Sequence, residues 1–359
     1  MTTTDAAGET LAASVAPSAD PGPSGVPTMF DVARLAGVSH QTVSRVLNDL
    51  SGVRASTRER VEKAIADLNY TPSPAARAMA KRRSGSIGLL QAGRPDYGPS
   101  NAALGFNEAA RGAGYTVSQA SMRDLDADTL TQEAHRLVLQ RVEAIVLIAG
   151  EREAVEVLGG IDVGVPLVTV ASEHAAGMHR VSIDQYAGAR LATEHLIGLG
   201  HREIRHVVGP AESMDAAERR RGWNDALLAA GLPVIPPIEG DWLAAGGYAA
   251  GLALVDDEAA TAVFVGNDQM ALGVLHAFRD AGVQVPGDVS IVGFDDIPEA
   301  AHFAPPLTTM RQDFDALGRD VMATVVDVLG QAATAPVDRV PELIERASTA
   351  APRTSPESR

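Results

Sequence analysis

The chain has 359 residues, 45% of them hydrophobic and 21% charged, a composition typical of a globular protein with room for two or three domains. It contains no cysteine, which excludes disulfides, thiolate metal sites and cysteine nucleophiles. No apolar run approaches the roughly 20 residues that a membrane span needs, and the N-terminus lacks the basic region of a secretory signal. We therefore expect a cytoplasmic protein with no membrane partner.

The formal net charge of −16 is divided unevenly along the chain. Residues 1–27 are rich in small and polar residues and carry no basic residue, which predicts a disordered leader. Residues 28–84 hold ten lysines and arginines against five acids, a net charge of +5, which leaves −21 for the remainder. A basic segment on an acidic body confines attraction for phosphate to one end of the molecule.

The stretch from Gly37 to Asn48 predicts a helix with two faces. One face is apolar at helical spacing, formed by Val43, Val46, Leu47 and Leu50. The other can hydrogen-bond throughout, through Gln41, Ser44, Arg45 and Asn48. Ser39 stands at the N-cap position, and a second amphipathic segment, Thr28–Ala36, precedes the turn. This arrangement predicts a helix-turn-helix that reads the major groove of DNA; the alternative is a helix that only packs against a neighbour.

The sequence on either side of this motif completes a three-helix headpiece over residues 28–72. Thr28 and Asp31 have the spacing of a capping box at the start of the first helix, and a second box from Ser56 predicts the start of a third. Residues 73–84, rich in alanine and basic residues, predict one short helix that would not be stable alone in water. The alternative for that segment is a plain interdomain linker.

From Ser86 onward, short apolar segments alternate with helical patterns. The predicted strands are Ile87–Gln91, Thr116–Ala120, Ala144–Ala149, Leu167–Val170, Ile204–Val208, Ala262–Val265 and Ser290–Gly293. The predicted helices are Ala102–Gly112, Thr129–Gln140, Gly188–Leu199, Ala216–Ala230, Gln269–Ala281 and Phe314–Leu329. Apolar strands joined by helices imply doubly wound α/β architecture with parallel sheets. Because the strands are too many for one tidy sheet, we expect two subdomains with a ligand cleft at the carboxyl ends of the strands.

The sequence offers no motif for catalysis. It has no dinucleotide fingerprint, no Walker loop, no Gly-x-Ser-x-Gly and no metal-ligand spacing among its nine histidines. Polar or aromatic residues do follow predicted strands or begin helices, notably Arg219, Trp242, Asn267, Asp268 and Asp295. Such groups suit a neutral sugar, because polar side chains bind its hydroxyls and an aromatic face covers the ring. Asp268 has the alternative role of a helix cap, and Trp242 and Trp223 that of core residues.

Several motifs together resemble the LacI/GalR family of transcriptional regulators. In the headpiece and hinge they are Met29–Ser39, Thr42–Asn48, Asn69–Pro72 and Ala76–Met79. In the body they are Leu199–His201, Glu239–Trp242, Asn267–Gly273, Val292–Asp296, Pro305–Thr309 and Gln312–Phe314. The resemblance covers roughly residues 28–345 and implies a DNA-binding headpiece, a hinge helix and a periplasmic-binding-protein-like effector domain.

The resemblance also implies roles for individual residues. Base or backbone contacts with operator DNA are implied for His40, Gln41, Ser44, Arg45, Asn48, Thr57 and Arg77, with Met79 as a minor-groove wedge. Contacts with a small-molecule effector are implied for Arg219, Trp242, Asn267, Asp295, Gln312 and Phe314. A sugar-binding member of the family has an aspartate after the strand matching Leu167–Val170 and a serine after the first strand. This chain has Ala171 and Ala92 or Gly93 there, so a β-galactoside is the expected ligand but another glycoside stays open.

We thus predict a sugar-released transcriptional repressor that is not an enzyme and needs no cofactor or metal. The expected domains are the leader 1–27, the headpiece 28–72, the hinge 73–84, an effector domain 85–345 and a disordered tail 346–359. Within the effector domain, residues 85–183 and 314–330 form one subdomain and 184–311 the other. The tail lacks leucine heptads, so a homodimer on a near-palindromic operator is expected. The alternatives are a sugar-binding transport receptor and a regulator of the same family with another effector, including a purine co-repressor.

Overall fold

The chain forms two compact units that divide between Arg82 and Arg83. The computed structural model describes residues 27–47, 50–71, 83–122, 126–173 and 177–353. Most of the predicted leader and most of the predicted hinge lie outside these ranges. None of the helices within them is long and apolar enough to cross a membrane.

The described residues of the first unit form three helices, namely α1 (Met29–Ala36), α2 (His40–Leu47) and α3 (Ala55–Asp67). The capping box predicted for α1 is confirmed, because the Thr28 hydroxyl accepts from the Asp31 amide and the Asp31 carboxylate accepts from the Thr28 amide. Gly37 ends α1 in the left-handed region at φ +63°, which a glycine adopts without strain. The Ser39 hydroxyl then accepts from the Thr42 amide at 3.2 Å, as expected for the N-cap of α2.

The core of this unit is small and apolar, and each helix contributes a buried valine, namely Val32, Val43 and Val61. The third helix begins earlier than predicted. Its N-cap is Arg54, whose side chain makes no capping bond, and the carbonyl of Arg54 accepts the first helical hydrogen bonds from the amides of Thr57 and Arg58. The capping box predicted from Ser56 is therefore wrong, since Ser56 already lies inside the first turn.

The second unit contains a six-stranded parallel sheet in the order β11-β5-β4-β3-β1-β2. Its strands are β1 (Ser86–Ala92), β2 (Thr116–Met122), β3 (Ile145–Ala149), β4 (Leu167–Val170), β5 (His179–Ile183) and β11 (Val337–Arg339). Two apolar clusters cover its two faces. One is formed with α5 (Ala127–Leu139) and α6 (Arg152–Gly159), and the other with α4 (Tyr97–Gly112) and α11 (Phe314–Leu329). Helices on both faces bury the inner strands of the sheet, such as β3, whose five residues are all apolar and buried.

A second parallel sheet follows, in the order β7-β6-β8-β9. Its strands are β6 (Ile204–Val208), β7 (Ile238–Glu239), β8 (Ala262–Val265) and β9 (Ser290–Val292). The helices of this subdomain are α7 (Gln185–Gly198), α8 (Met214–Ala229), α9 (Ala244–Val255) and α10 (Asp268–Ala281), with a 3-10 helix at Pro298–His302. A small antiparallel pair, β10 (Thr309–Arg311) with β12 (Glu342–Ile344), completes it. The predicted two-subdomain α/β fold is thus confirmed.

The chain crosses between the two subdomains three times, between β5 and α7, between β10 and α11, and between β11 and β12. The crossing segments contact one another: the Asp184 amide donates to the Arg339 carbonyl at 2.7 Å, and the Gln185 side chain donates to that of Gln312 at 3.0 Å. The residues that form these hydrogen bonds between crossing segments therefore lie at the boundary between the two subdomains.

Helix α11 packs on α4 at very short distance through two glycines. A Cβ atom added to Gly318 would lie 2.1 Å from the carbonyl carbon of Gly105, and one added to Gly105 would lie 2.4 Å from the carbonyl oxygen of Phe314. Both positions exclude any side chain, because protein interiors are already packed to crystal-like density.

The prediction that residues 346–359 form a disordered tail is wrong for residues 346–353. Ser348 is fully buried; its hydroxyl donates to the Ile291 carbonyl at 2.6 Å and accepts from the Thr308 amide at 2.8 Å. The Ile291 amide in turn donates to the Ser348 carbonyl at 2.8 Å. This polar segment is ordered because it supplies the hydrogen bonds that the edge of β9 needs. The effector domain therefore extends beyond the predicted end at residue 345.

Candidate nucleic-acid interface and ligand cleft

Helix α2 presents its polar face outward and its apolar face to the core. His40, Gln41 and Arg45 are exposed, whereas Val43 and Val46 are buried. The remaining residues with implied DNA contacts are less exposed or not described. Ser44 and Thr57 are half-buried, and Asn48, Arg77 and Met79 lie outside the described residues. The polar face of α2 is therefore exposed where the structure describes it.

Two of these exposed side chains are held by contacts within the headpiece. The guanidinium of Arg45 donates to the backbone carbonyl of Ser51, in the loop that follows α2. The imidazole of His40 packs against the ring of Phe30 in α1, with ring centroids 5.4 Å apart. Such contacts limit the rotamers that α2 offers to a partner.

A cleft of about 400 Å³ lies between the two subdomains of the second unit. Its walls come from loops at the carboxyl ends of parallel strands, where α/β folds bind their ligands, at Gly93, Gly150, Ala171, Pro210, Asn267 and Asp295. All six residues predicted to bind effector line it: Arg219, Trp242, Asn267, Asp295, Gln312 and Phe314. The volume is in the range of small-molecule sites.

Arg219 occupies the floor of the cleft, and its guanidinium is almost fully buried. Its Nε donates to the side-chain oxygen of Gln185 at 2.9 Å, and its Nη1 donates to the carbonyl of Gly266. The guanidinium also lies over the ring of Phe294 at 3.8 Å and near Trp242 at 5.3 Å. Cation–π contacts of this kind hold a planar guanidinium in one orientation.

Asp295 follows β9 and faces this guanidinium. Its backbone lies at φ +111°, which residues with a side chain rarely adopt. Its backbone amide donates a hydrogen bond to the Met310 carbonyl at 2.8 Å, which fixes the position of this segment beside β10. The Gln312 amide donates to its carboxylate at 2.6 Å. Burial raises the pKa of Asp295 to about 6, although Arg219 and the Gln312 hydrogen bond oppose the shift.

The two tryptophans have different roles. Trp223 is buried in the second subdomain, packed near His206, whereas Trp242 is half-buried and lines the cleft. Trp242 has a backbone φ of +68°, and its carbonyl accepts from the Asn267 side-chain amide at 3.0 Å. Across the cleft, Phe314 packs edge-on against Tyr97 with centroids 5.9 Å apart. The cleft therefore combines polar groups with aromatic faces, as a sugar requires.

Asp268, the residue after Asn267, neither lines the cleft nor caps a helix. The N-cap of α10 is Asn267, whose side chain accepts from the Met270 amide at 2.9 Å, so the predicted capping alternative for Asp268 is wrong. Asp268 is fully buried outside the cleft and accepts from the Thr309 hydroxyl at 2.6 Å and the Ile297 amide at 2.9 Å. Burial raises the pKa of its carboxyl well above the usual value.

Sequence reasoning missed further residues of the cleft. Gln185 begins α7 and bonds to both Arg219 and Gln312, but nothing in its local pattern marks it. At the position of the missing aspartate, Ala171 is apolar, and the next residue, Ser172, donates to the carboxylate of Asp215 in the first turn of α8. This bond joins the two subdomains. No cluster of three or more potential metal ligands occurs among the described residues.

Comparison with known proteins places this geometry in a family. Residues 28–73 match the lacI family of bacterial regulatory proteins, and residues 193–349 match a periplasmic binding protein-like domain. The lactose operon repressor of Escherichia coli (strain K12) is 34% identical over 331 residues, which cover 91% of this chain and 92% of that protein.

Solved structures agree with this comparison over nearly the same length. A crystal structure of the lac repressor dimer bound to operator and the anti-inducer ONPF has a TM-score of 0.83 at 33% identity, covering 91% of this chain and all of that one. A complex of the transcriptional regulator CelR with cellobiose has a TM-score of 0.65 at 32% identity, covering 90% and 99%. With such identity over both units, the chain belongs to the lacI family of bacterial transcriptional regulators.

Proposed function

We propose that this regulator represses transcription by binding an operator and is released when a sugar occupies the cleft between its subdomains. One observation carries the proposal: the same chain joins a headpiece with an exposed polar helix face to a buried ion pair, Arg219 with Asp295, inside a ligand-sized cleft. DNA and sugar engage different units, so release by sugar requires that the two binding events are energetically coupled. By linkage, operator DNA lowers sugar affinity by the factor by which sugar lowers DNA affinity.

On the DNA side, we propose that Gln41 and Arg45 read base edges in the major groove, with His40 beside them. Arg45 then exchanges its hydrogen bond to the Ser51 carbonyl for one to a base. Ser44, Asn48, Thr57 and Arg77 complete the contacts, with Met79 as the minor-groove wedge. The lac repressor structure contains a dimer on operator. We propose the same stoichiometry here, with two headpieces on a near-palindromic site.

On the ligand side, the polar set around Arg219 and Asp295 supports a glycoside with vicinal hydroxyls. A β-galactoside is the first candidate because the residues from the second subdomain follow the pattern of the resemblance noted above. The CelR complex contains cellobiose, and the apolar Ala171 changes the first-subdomain wall of this cleft. A glucoside is therefore the second candidate. A transport receptor is disfavoured, since α2 and its exposed Arg45 have no role in one.

The identity of the sugar is determined by a thermal-shift screen of mono- and disaccharides on the full chain, because a ligand bound in the cleft stabilises the folded state by mass action. The sugar that shifts the melting temperature should also release the protein from an operator selected from random DNA. Melting shifts without release would reject the repressor mechanism.

The DNA role is tested by Arg45→Ala on the same selected operator. We expect loss of specific binding, with the weak salt-dependent binding to random DNA retained and the sugar response of the effector domain unchanged. Retained sequence-specific binding in the variant would reject the assignment of α2 as the reading helix.

A further inference from the structure

The ionisable residues that line the cleft are strongly unbalanced. Six are acidic, Asp96, Glu151, Glu212, Asp215, Asp241 and Asp295, and two are basic, Arg94 and Arg219. Each arginine already has a carboxylate of the same set nearby: Arg94 lies 3.7 Å from Asp96, and Arg219 lies 3.6 Å from Asp295. Four carboxylates therefore remain without a cation among the residues that line the cleft.

Local interactions stabilise the negative charge of only two of these four acids. Asp215 lies in the first turn of α8, where the helix dipole favours a negative charge. The Asp241 carboxylate accepts from the Leu243 amide at 2.9 Å in the turn before α9. Glu151 and Glu212 make no side-chain hydrogen bond or ion pair with the residues that the structure describes. They come from different subdomains and both face the cleft.

The acids are close enough to influence one another. Burial raises the pKa of Asp96 and so does the charge of Asp241, from the other subdomain. Burial likewise raises the pKa of Glu151, with Glu212 and Glu153 adding to the shift. Asp295 is affected in the same direction by Asp215 and Asp96. A cleft that disfavours its own negative charges disfavours a bound negative charge for the same electrostatic reason.

A metal ion does not account for the excess, since the described residues contain no group of three or more potential ligands. The floor of the cleft points instead to an organic ligand. Arg219 and Asp295 are both more than nine-tenths buried there, and among the described residues none donates to the second carboxylate oxygen, Oδ2, of Asp295. That oxygen can accept from a hydroxyl or an ammonium group, but it repels a phosphate or a carboxylate.

We propose that the cleft selects its effector by charge: it takes an uncharged sugar or an amino sugar and rejects phosphorylated sugars and uronic acids. Asp215 is the residue whose charge we expect to matter most for this selection. It lies one helical turn before Arg219 on α8, and Ser172 from the other subdomain holds its carboxylate at the cleft wall. The inference rests on the proposed sugar-binding function and narrows its ligand class.

The test compares sugars that share one ring and carry a neutral, a cationic or an anionic substituent. Binding of D-glucose, D-glucosamine, D-glucuronate and D-glucose 6-phosphate to the full chain is measured by calorimetry, together with the matching galactose series, lactose and cellobiose. We expect the anionic members to bind at least about 100-fold more weakly than their neutral parents, given several carboxylates within a Debye length of the ligand. An anionic sugar that binds as tightly as its parent would overturn the charge selection while leaving the sugar-binding function intact. Absence of binding by every sugar would instead reject the proposed function itself.

A matched pair of variants tests whether Asp215 contributes to the discrimination between neutral and anionic sugars. Asp215→Asn removes the charge but keeps an oxygen for the Ser172 hydroxyl, and we expect the neutral-to-anionic affinity ratio to fall by about 10-fold. Glu258→Gln removes an exposed acid of the same subdomain outside the cleft and should leave the ratio unchanged. An equal ratio in both variants would overturn the role of Asp215. Should Asp215→Asn fail to fold, Asp241→Asn, which keeps an acceptor for the Leu243 amide, tests the charge selection through a second acid of the cleft, and an unchanged ratio in that variant would contradict the selection.

Discussion

The guanidinium of Arg219 lies 3.6 Å from the carboxylate of Asp295, and both side chains are more than nine-tenths buried. At that distance the two groups attract each other but share no direct hydrogen bond. Burying such a pair is costly because both charges lose their hydration. Each group therefore keeps hydrogen-bonding capacity that a ligand hydroxyl can use, which is what a preorganised sugar site needs.

Asp295→Asn should weaken sugar binding by about 10- to 100-fold, since a hydrogen bond to a charged group is worth about 1.5–3 kcal/mol. Operator binding should persist, because the headpiece is a separate unit. Calorimetry with the sugar found in the screen measures the first effect, and gel shift measures the second. Glu299→Gln, which changes an exposed acid in the following 3-10 helix, is the control. Normal sugar affinity in Asp295→Asn would remove Asp295 from the binding site.

The same carboxylate should make stability depend on pH. The pKa of Asp295 is raised from 3.8 to about 6 in the folded chain, so the folded state binds the proton more tightly than the unfolded state does. As pH rises from about 4 to about 6, the unfolded state loses this proton first. The wild type should therefore lose on the order of 3 kcal/mol relative to Asp295→Asn across this window, with no further change above it. Urea unfolding of both proteins from pH 4 to pH 8 measures the difference; a constant difference would contradict the raised pKa.

Much of this site could be predicted because its residues follow strands that the sequence marks clearly. Asn267 lies two residues beyond the end of β8 and Asp295 three residues beyond the end of β9, and both strands are short and wholly buried. Parallel topology then brings such strand ends to one edge. Gln185 was not predicted as a cleft residue, because its role depends on the crossing between β5 and α7, which brings its side chain to Arg219 and Gln312. A contact between segments 127 residues apart leaves no trace in either local pattern.

Some of the elements that the sequence did not predict form only because of tertiary packing. Strands β11 and β12, with the sequences VDR and ELI, are three residues long and contain no fully buried residue, so no apolar alternation can develop. Helix α9 contains two adjacent glycines, which lower helix propensity. It forms because Gly247 lets the backbone of α10 approach: a Cβ there would lie 2.1 Å from the Met270 carbonyl. Tertiary packing determines whether such segments form helices or strands, and their amino-acid composition alone does not reveal the outcome.

Gln185→Met should test whether the network positions Arg219. The change keeps the length of the side chain but removes its bonds to Arg219 and Gln312, which leaves the buried Nε of Arg219 without a partner. We expect a loss of about 1–3 kcal/mol in the free energy of unfolding and a sugar affinity about 10-fold lower. Gln140→Met, at the exposed end of α5, should change neither quantity. Unchanged sugar affinity with reduced stability would show that Gln185 acts only in folding.

Gly318→Ala should destabilise the first subdomain by about 1–3 kcal/mol or more, because the added Cβ meets backbone atoms of α4 that cannot rotate away. The matched control is Gly112→Ala, at the end of α4, where a Cβ would meet nothing within 4 Å. That control should be neutral or slightly stabilising, since alanine is the better helix former. Urea denaturation measures both. Equal stabilities for the two variants would contradict the close approach of α4 and α11.

Ser348→Ala tests the ordered C-terminal segment. The substitution leaves the buried Thr308 amide without its acceptor and the Ile291 carbonyl without one of its donors, so we expect a loss of about 1–3 kcal/mol in the free energy of unfolding. Two truncations extend the test. Ending the chain after Glu345 removes all of these contacts and should destabilise at least as much as Ser348→Ala, whereas ending it after Arg353 keeps every one of them. If both truncated chains unfold at the same urea concentration as the full chain, residues 346–353 contribute nothing to the fold, and the domain ends where the sequence first suggested.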